Sequence, residues 1–497
     1  MVWFIQRLHP ALIVAASLPF ASRCASARFL VLLACFLACS LHSLGFSKAY
    51  AQLEELTVSR IAFGSCADQQ KPCPIWRAIA AYDPNVLLLL GDNIYADVQN
   101  GRVIASNPEH ISQAYAQLAA NPDFDNLRKK VKLFATWDDH DFGKNDAGAE
   151  WQHKEASASI FHDFFGTPND SPRRSRPGIY HADIFGPVGK RVQFIMLDTR
   201  FFRSKLEQEE SPRPGWRSRP YIPQTDPDAT LLGEIQWSWL DEQLRQPAEL
   251  RFLCSSIQVI SDEHPFEMWA NFPNERARLY QLIQDSHANG LIILSGDRHL
   301  GDISLDNSAL SYPLFDITAS GLNQAELDWR PIEANSKRVA GLQQGNHFGS
   351  IEIDWQAQDP VVSLQLRLEN GEIGVQTKVP LSRLQSLSDD GELPEGVCGP
   401  GKALTMAEGS EVRLQFRVAG GRQFEDTGRL LLNSQENFRN VQNFTVLVNP
   451  SALAGKFQHA TLDSFKGRSI RVTGKISVYR EQKQVVVDSA DQLEVVE

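Results

Sequence analysis

The chain has 497 residues, 42% hydrophobic and 22% charged, with a formal net charge of -11 at pH 7. That length allows two or three domains and a large buried core. The acidic balance argues against non-specific binding to nucleic acid or anionic membranes, though it leaves room for a locally basic cleft.

The N-terminus departs from this average. Arg7, Arg23, Arg28 and Lys48 precede the first carboxylate, Glu54, and an apolar run extends from Phe29 to Cys39. Ala49-Tyr50-Ala51 then supplies a small-x-small cleavage site, so residues 1–51 read as a signal peptide and the mature chain as secreted or periplasmic. A retained membrane anchor is the alternative. Ser40, His42 and Ser43 interrupt a clean span, and no stable membrane insertion is expected once the leader is removed. Cys24, Cys35 and Cys39 fall in this leader, leaving Cys66, Cys73, Cys254 and Cys398. Four thiols in so large a chain do not make a disulfide scaffold, but Cys66 and Cys73 are close enough in sequence to pair in an oxidising compartment.

Beyond the leader, Thr57–Phe63 reads as a strand ending in Gly64-Ser65-Cys66. Pro74–Tyr82 has helical spacing. Val86–Leu90 is an apolar strand stopped by Gly91-Asp92-Asn93-Ile94-Tyr95-Ala96-Asp97. Val131–Trp137 is another, stopped by Asp138-Asp139-His140-Asp141. A helix is expected over Glu155–Phe165 and a strand over Arg191–Leu197, ending in Asp198-Thr199-Arg200. Residues 204–228 are rich in Pro, Ser, Arg and acids and read as a long surface loop, a flap over a site. Helices are expected over Gly233–Leu244 and Asn274–His287, and strands over Phe252–Ile260 and Leu291–Leu294. The latter is stopped by Ser295-Gly296-Asp297-Arg298-His299. Further strands at 312–320 and 348–368 suggest a partly antiparallel sheet.

This recurrence of apolar strand, abrupt polar terminus and helix is an α/β architecture with ligand groups collected at strand ends. Composition shifts at 386–402, which reads as a linker. Short strands then follow: Val412–Val418, Arg429–Leu432, Phe444–Val448, Ile470–Thr473, Lys475–Tyr479 and Gln484–Val487. They suggest a small all-β barrel or sandwich over 403–497, of OB-like type.

Four strand ends carry related cargo: Cys66; Asp92, Tyr95 and Asp97; Asp138 to Asp141; Asp297 and His299. A single Gly-Asp after a strand is an ordinary turn, and a single interior His is an ordinary core residue. Their joint occurrence points to a metal site, because several carboxylates in one buried place need a cation. Carboxylates suit hard cations, while phenolate and thiolate favour a Lewis-acidic metal such as ferric iron. Two such ions sharing a carboxylate would clamp a phosphoryl group and generate a hydroxide nucleophile. There is no Gly-x-Ser-x-Gly elbow, no Walker lysine motif and no Gly-x-Gly-x-x-Gly after a strand.

Several motifs, in this order, resemble those of the alkaline phosphatase D (PhoD-like) family of calcineurin-like metallophosphoesterases. They are Phe63-Gly-Ser-Cys66 with Pro74-Ile-Trp76, Gly91-Asp-Asn-Ile-Tyr95-Ala-Asp97, Trp137-Asp-Asp-His-Asp141 with Asn145-Asp146, Leu197-Asp-Thr-Arg200, and Gly296-Asp-Arg-His299. The resemblance covers roughly 57–370. It implies a four-layer α/β/β/α sandwich over 52–385 and a secreted phosphomonoesterase or phosphodiesterase carrying iron with calcium, Fe3+ and Ca2+. By the same resemblance Asp92 bridges the metals, Cys66, Tyr95 and His299 complete the iron-type site, and Asp139 and Asp297 hold the second ion. His140 lies near the phosphate, stabilising charge or protonating the leaving oxygen. Asn145 and Arg200 make phosphate or supporting contacts.

Asp138 and Asp141 are expected to support the cleft by orienting His140 or a neighbouring strand end. In the terminal barrel Phe438, Phe444, Phe457 and Tyr479 are candidate stacking groups for a sugar or nucleic acid, with Arg439, Lys456 and Arg468 nearby; core phenylalanines are the plainer reading. Rival functions are a diesterase, nuclease or phospholipase-D-like enzyme acting on nucleic acid or lipid headgroups, and a non-catalytic extracellular binding protein using the barrel.

Overall fold

The computed structural model describes residues 56–213, 219–326, 333–342, 345–385, 393–394, 396–435, 438, 443–480 and 482–496. The expected leader with its three cysteines, residues 214–218 of the loop, residues 386–392 and 395 of the linker, Arg439 and the side chain of Lys456 lie outside them. Val58–Ile184 and Val188–Glu497 belong to one compact unit.

The strands in chain order begin with β1 (Arg60–Gly64), β2 (Val86–Leu90), β3 (Val98–Gln99), β4 (Arg102–Val103), β5 (Lys132–Thr136), β6 (His181–Phe185) and β7 (Val192–Met196). They continue with β8 (Glu207–Gln208), β9 (Tyr221–Ile222), β10 (Leu250–Cys254), β11 (Leu291–Ser295), β12 (Gly301–Asp306), β13 (Leu314–Ala319) and β14 (Arg338–Gly341). Then come β15 (His347–Asp354), β16 (Val361–Leu368) and β17 (Ile373–Pro380).

One sheet has the order β17-β16-β15-β1-β2-β5 and another the order β14-β12-β13-β11-β10-β7-β6. In the first, β1, β2 and β5 run parallel while β15, β16 and β17 pair antiparallel. In the second, β7, β10, β11 and β13 are parallel, and β12 returns antiparallel to β13. The mixed sheets expected from the later strands are therefore present.

Five-residue runs such as Val86–Leu90 and Leu291–Ser295 are buried along their whole length. That burial explains their continuous rather than alternating hydrophobicity. One face of the first sheet packs Ala62, Leu87, Leu89 and Ala135 against helix residues Ile75, Ile79, Ile111, Tyr115 and Phe161. A face of the second packs Ile195, Leu253 and Ile293 against Trp237, Leu240, Leu279 and Ile283 of the helices Gly233–Leu244 and Pro273–Asp285. Phe134 of β5 and Phe194 of β7 stack at 5.8 Å, joining the sheets across their other faces.

The third sheet comprises β18 (Glu411–Arg417), β19 (Gly420–Phe424), β20 (Arg429–Asn433), β21 (Thr445–Val448), β22 (Ser469–Tyr479), β23 (Gln482–Val487) and β24 (Leu493–Val496). Its order is β18-β22-β23-β21-β20-β19, with β24 on β22.

Three expectations change. Phe252–Ile260 is a strand only to Cys254; beyond it Ile257, Val259 and Ile260 are buried in irregular chain, so the apolar run reflects burial without pairing. The two strands expected at Ile470–Thr473 and Lys475–Tyr479 are one, because Gly474 continues the pairing with Val412. At the end of the expected linker, Pro400–Thr405 is a helix whose Ala403 joins the core of the third sheet.

Candidate functional site

The parallel strands bring their carboxyl ends to the site from both sheets. Cys66 follows β1, Asp92 follows β2, Asp138 and Asp139 follow β5, and Asp297 and His299 follow β11. At three of these ends, after β1, β2 and β11, the chain turns sharply: Cys66 (φ 63), Asp92 (φ 49), Asp297 (φ 70) and His299 (φ 55) are all left-handed. Such a conformation costs a non-glycine residue about 1–2 kcal/mol, and that strain concentrates where donors must be aimed. Gly91 (φ +102) precedes Asp92; a Cβ there would lie 2.6 Å from that of Asp138, so this turn accepts only glycine.

Cys66 Sγ lies 3.6 Å from Asp92 Oδ2. The Tyr95 hydroxyl donates to the same oxygen at 3.1 Å and is 3.1 Å from His299 Nε2. Asp92 Oδ1 accepts from the His140 backbone N–H at 3.4 Å. Cys66, Asp92, Tyr95 and His299 thus share one end of the cleft. Cys66 and Cys73 are both free and buried, so among the described residues no disulfide removes the Cys66 thiol.

His140 Nδ1 is 2.6 Å from Asp97 Oδ1, and the imidazole lies over the Tyr95 ring with centroids 4.2 Å apart. Asp97 therefore orients His140, while Asp141 takes the other supporting role expected of it, at a neighbouring strand end. It accepts from the Asp138 backbone N–H at 2.6 Å and from Asn93 Nδ2 at 2.5 Å, tying the ends of β5 and β2 together. Asp138 Oδ1 accepts from Arg200 Nε and Ser256 Oγ, each at 2.6 Å.

At the other end, Asp139 Oδ2 accepts from the Asp146 backbone N–H at 2.7 Å. Glu267 receives both Arg200 and Arg203, with Arg203 Nη1 to Oε2 at 3.0 Å. Arg200 is fully buried and bound to Asp138 and Glu267. Asn145 is exposed, and its amide donates to Asp146 Oδ2 at 2.7 Å.

Four groups of donors converge closely enough to hold a metal ion: Cys66/Asp92/His299, Asp92/Asp139/His140, Asp138/Glu267/Asp297 and Asp139/Asp146/Glu267. Asp139 and Asp297, read as partners at a second ion, fall in separate groups that share Glu267. Glu267 escaped the sequence reading because it lies in the irregular chain after β10, with no strand end to mark it. Asp146 was visible only as a motif neighbour of Asn145.

The electrostatics favour cations. Burial pushes Asp92 well above its usual range; His140 opposes the rise and Asp139, Asp138 and Asp141 add to it. Burial raises Asp297 to about 7 against the pull of Arg298. It also pushes the Cys66 thiol and Tyr95 phenol up, Asp92 adding to both. Burial would raise Asp139 too, but the His140 and Arg200 cations outweigh it and hold the carboxyl low. For His140, burial favours the neutral ring, yet Asp139, Asp92 and Asp97 prevail and raise it. The second oxygens of Asp97 and Asp138 are buried without a hydrogen-bond partner among the described residues. Orphaned carboxylate oxygens beside mixed O, N and S donors fit metal ions.

In the third sheet the expected aromatic platform is not assembled as read. Phe444 is a core residue at 0% exposure, and Phe457 packs on Phe465 at 5.6 Å; Phe438 and Tyr479 are exposed.

An α/β protein with acid, thiol, phenol and imidazole donors gathered at the strand ends of two sheets is of a phosphatase-like class. The model of the PhoD-like phosphatase family matches residues 61–358, and the chain belongs to that family. Alkaline phosphatase D of Bacillus subtilis (strain 168) is 22% identical over 271 residues, 48% of this chain and 45% of that protein. The match therefore spans less than half of that relative. The solved structure of PhoD superposes with a TM-score of 0.50 at 17% identity, covering 66% of this chain and 69% of that one, a likeness of fold.

Proposed function

We propose that the chain is a secreted, metal-dependent phosphoester hydrolase. The observation that carries this reading is the convergence of Cys66, Asp92, Tyr95 and His299 on one side of His140, and of Asp139, Asp146 and Glu267 on the other. Cys66, Asp92, Tyr95 and His299 would hold an Fe3+-type ion. Asp92 would bridge to a Ca2+-type ion at Asp139, with Asp297 reaching the same region through Glu267. Ions bound there supply Lewis acidity towards the phosphoryl oxygens and a water of lowered pKa.

The chain's own residues do the rest. Asp97 aims His140, which at 12% exposure is turned to the rim of the cleft, to hydrogen-bond the phosphoryl group and protonate the leaving oxygen. Arg200 and Arg203 neutralise Asp138 and Glu267 and fix their direction.

The signal-peptide composition of residues 1–51 supports secretion, and no helix among the described residues is long and apolar enough to cross a membrane. Residues 52–385 form the four-layer hydrolase domain in this reading. Residues 386–402 are the linker and 403–497 an OB-like barrel, with Phe438 and Tyr479 the remaining candidates to meet a sugar or nucleic acid.

Monoesters are the favoured substrates in this reading, because the 204–228 loop, tied to Asp146 through the Tyr221 hydroxyl at 2.7 Å, would restrict access to the site. Rates on nitrophenyl phosphate and on its bis ester decide between mono- and diesterase. Metal analysis of the purified protein that finds neither iron nor calcium would sink the metal assignment. Undiminished hydrolysis by a folded Asp92→Asn variant would sink the metal mechanism, and a wild type that hydrolyses no phosphoester would leave a binding protein.

A further inference from the structure

The stretch 204–228 has an ordered base. β8 and β9 pair there, Glu207 with Ile222 and Gln208 with Tyr221. Two backbone bonds fasten this base to the chain around Glu267: Tyr221 N–H to Pro265 O at 2.8 Å and Gln224 N–H to Asn271 O at 2.7 Å. The Tyr221 side chain runs the other way and donates its hydroxyl to Asp146 Oδ2 at 2.7 Å. One residue therefore spans two separate loops. Its backbone holds the chain two residues before Glu267, and its phenol holds Asp146.

Both loops deliver carboxylates to the same group. Asp146, Glu267 and Asp139 place oxygens within 4.8 Å of one another. Asp146 sits at φ 53, a left-handed position that its neighbours must hold in place. Its backbone N–H is spent on Asp139, and its carbonyl accepts from Arg203 Nη2 at 2.6 Å. These bonds fix the main chain of Asp146. The direction of its carboxylate is left to Asn145, which is exposed, and to Tyr221, which is half-buried and anchored at its own backbone.

We propose that Tyr221 is a positioning residue for a divalent-cation site formed by Asp139, Asp146 and Glu267. The inference rests on the reading that the cleft holds metal ions. An all-oxygen donor set selects a hard cation of the calcium or magnesium class, in contrast to the mixed donors around Cys66. A hydrogen bond to a ligating carboxylate that fixes its orientation changes metal affinity by about 10–100-fold when lost. The base of the loop is thereby coupled to the metal: whatever displaces Tyr221 loosens the cation, and the cation in turn holds the base of the loop down.

The test is calorimetric titration of the chelator-stripped full-length protein with calcium alone, for wild type and Tyr221→Phe. The phenyl ring keeps its packing and loses only the hydroxyl. The expected result is a Kd for calcium about 10–100-fold weaker in Tyr221→Phe, with hydrolysis returning to the wild-type rate at saturating calcium. A Tyr221→Phe variant with wild-type calcium affinity overturns the proposal, and so does a rate defect that saturating calcium does not restore.

Asp146→Asn guards against a purely structural loss. If Tyr221 acts through Asp146, adding Tyr221→Phe to Asp146→Asn weakens calcium binding little further; if the two losses add, the proposal falls. A wild type that hydrolyses phosphoesters yet binds no calcium overturns this inference alone. A wild type that does neither overturns the functional reading as well.

Discussion

The cleft between the first two sheets and the interior of the third sheet are both buried, and they are built from opposite materials. In the third sheet Leu414, Phe416, Val446, Val448, Ile470, Val472, Val485 and Val487 are all at 0% exposure and form an apolar core. In the cleft the buried groups are Asp92, Asp97, Asp138, Asp139, Arg200, Arg203 and Glu267. Burying apolar area stabilises a fold, whereas burying charge costs free energy even when it is paired. The cleft is therefore held in shape by its flanking helices and sheets, and its polar groups are placed at the expense of stability. Substitutions in the two regions should separate accordingly: function without fold in one, fold without function in the other.

The largest separation is expected at Asp92. Asp92→Asn should lower phosphoester hydrolysis on the order of 10³-fold, beyond the 10–100-fold typical of a supporting partner, while the thermal midpoint stays at or above that of wild type. Steady-state kinetics alongside a melting curve measure both, and a collapsed melting curve would erase the contrast. From the other side, Leu414→Ala should cost roughly 2–5 kcal/mol of stability in the third sheet. Denaturant unfolding followed at both regions reads that loss, while steady-state kinetics and elemental analysis at 25 °C should give wild-type kcat and metal content.

Acid sharpens the comparison away from the metal-binding residues. Burial, reinforced by Arg173, Arg174 and Arg176, pushes His162 down to about 4. Above its unfolded pKa near 6.5 the ring is neutral in both states and contributes nothing. As pH falls below that value the unfolded chain takes up a proton that the folded chain refuses. Stability drains away until about pH 4, by about 3 kcal/mol at most. His162→Gln should therefore flatten the stability profile between those values; an unchanged slope would assign the acid limb elsewhere.

The smallest expected effect is at Asp97. Asp97→Asn keeps a hydrogen-bonding atom beside His140 but loses the charge, and kcat should fall about 10–100-fold with metal content unchanged. Loss of metal in that variant would make Asp97 part of the metal-binding group rather than the partner of His140.

Local pattern was enough to place the donors. Apolar runs such as Val86–Leu90 and Leu291–Leu294 break off into Gly-Asp turns, because a strand buried on both faces must end where the chain meets polar ground. For the same reason Cys66, Asp92, Tyr95, Asp139, His140, Asp297 and His299 were all visible as cargo of strand ends. The order of those motifs carried the family.

What the tertiary structure decided was the partnerships. Asp97 faces His140, Arg200 joins Asp138 to Glu267, and Tyr221 spans Asp146 and the chain before Glu267. Those contacts link residues from 43 to 75 positions apart, and no local periodicity encodes them. Glu267 shows the limit most clearly. It lies in irregular chain beyond the run that mimicked a strand, and only the packing of two sheets around a common end turns it into a donor shared by two groups. Sequence pattern determined which groups the strand ends carry, because burial imposes local periodicity. Long-range packing decided which of them meet.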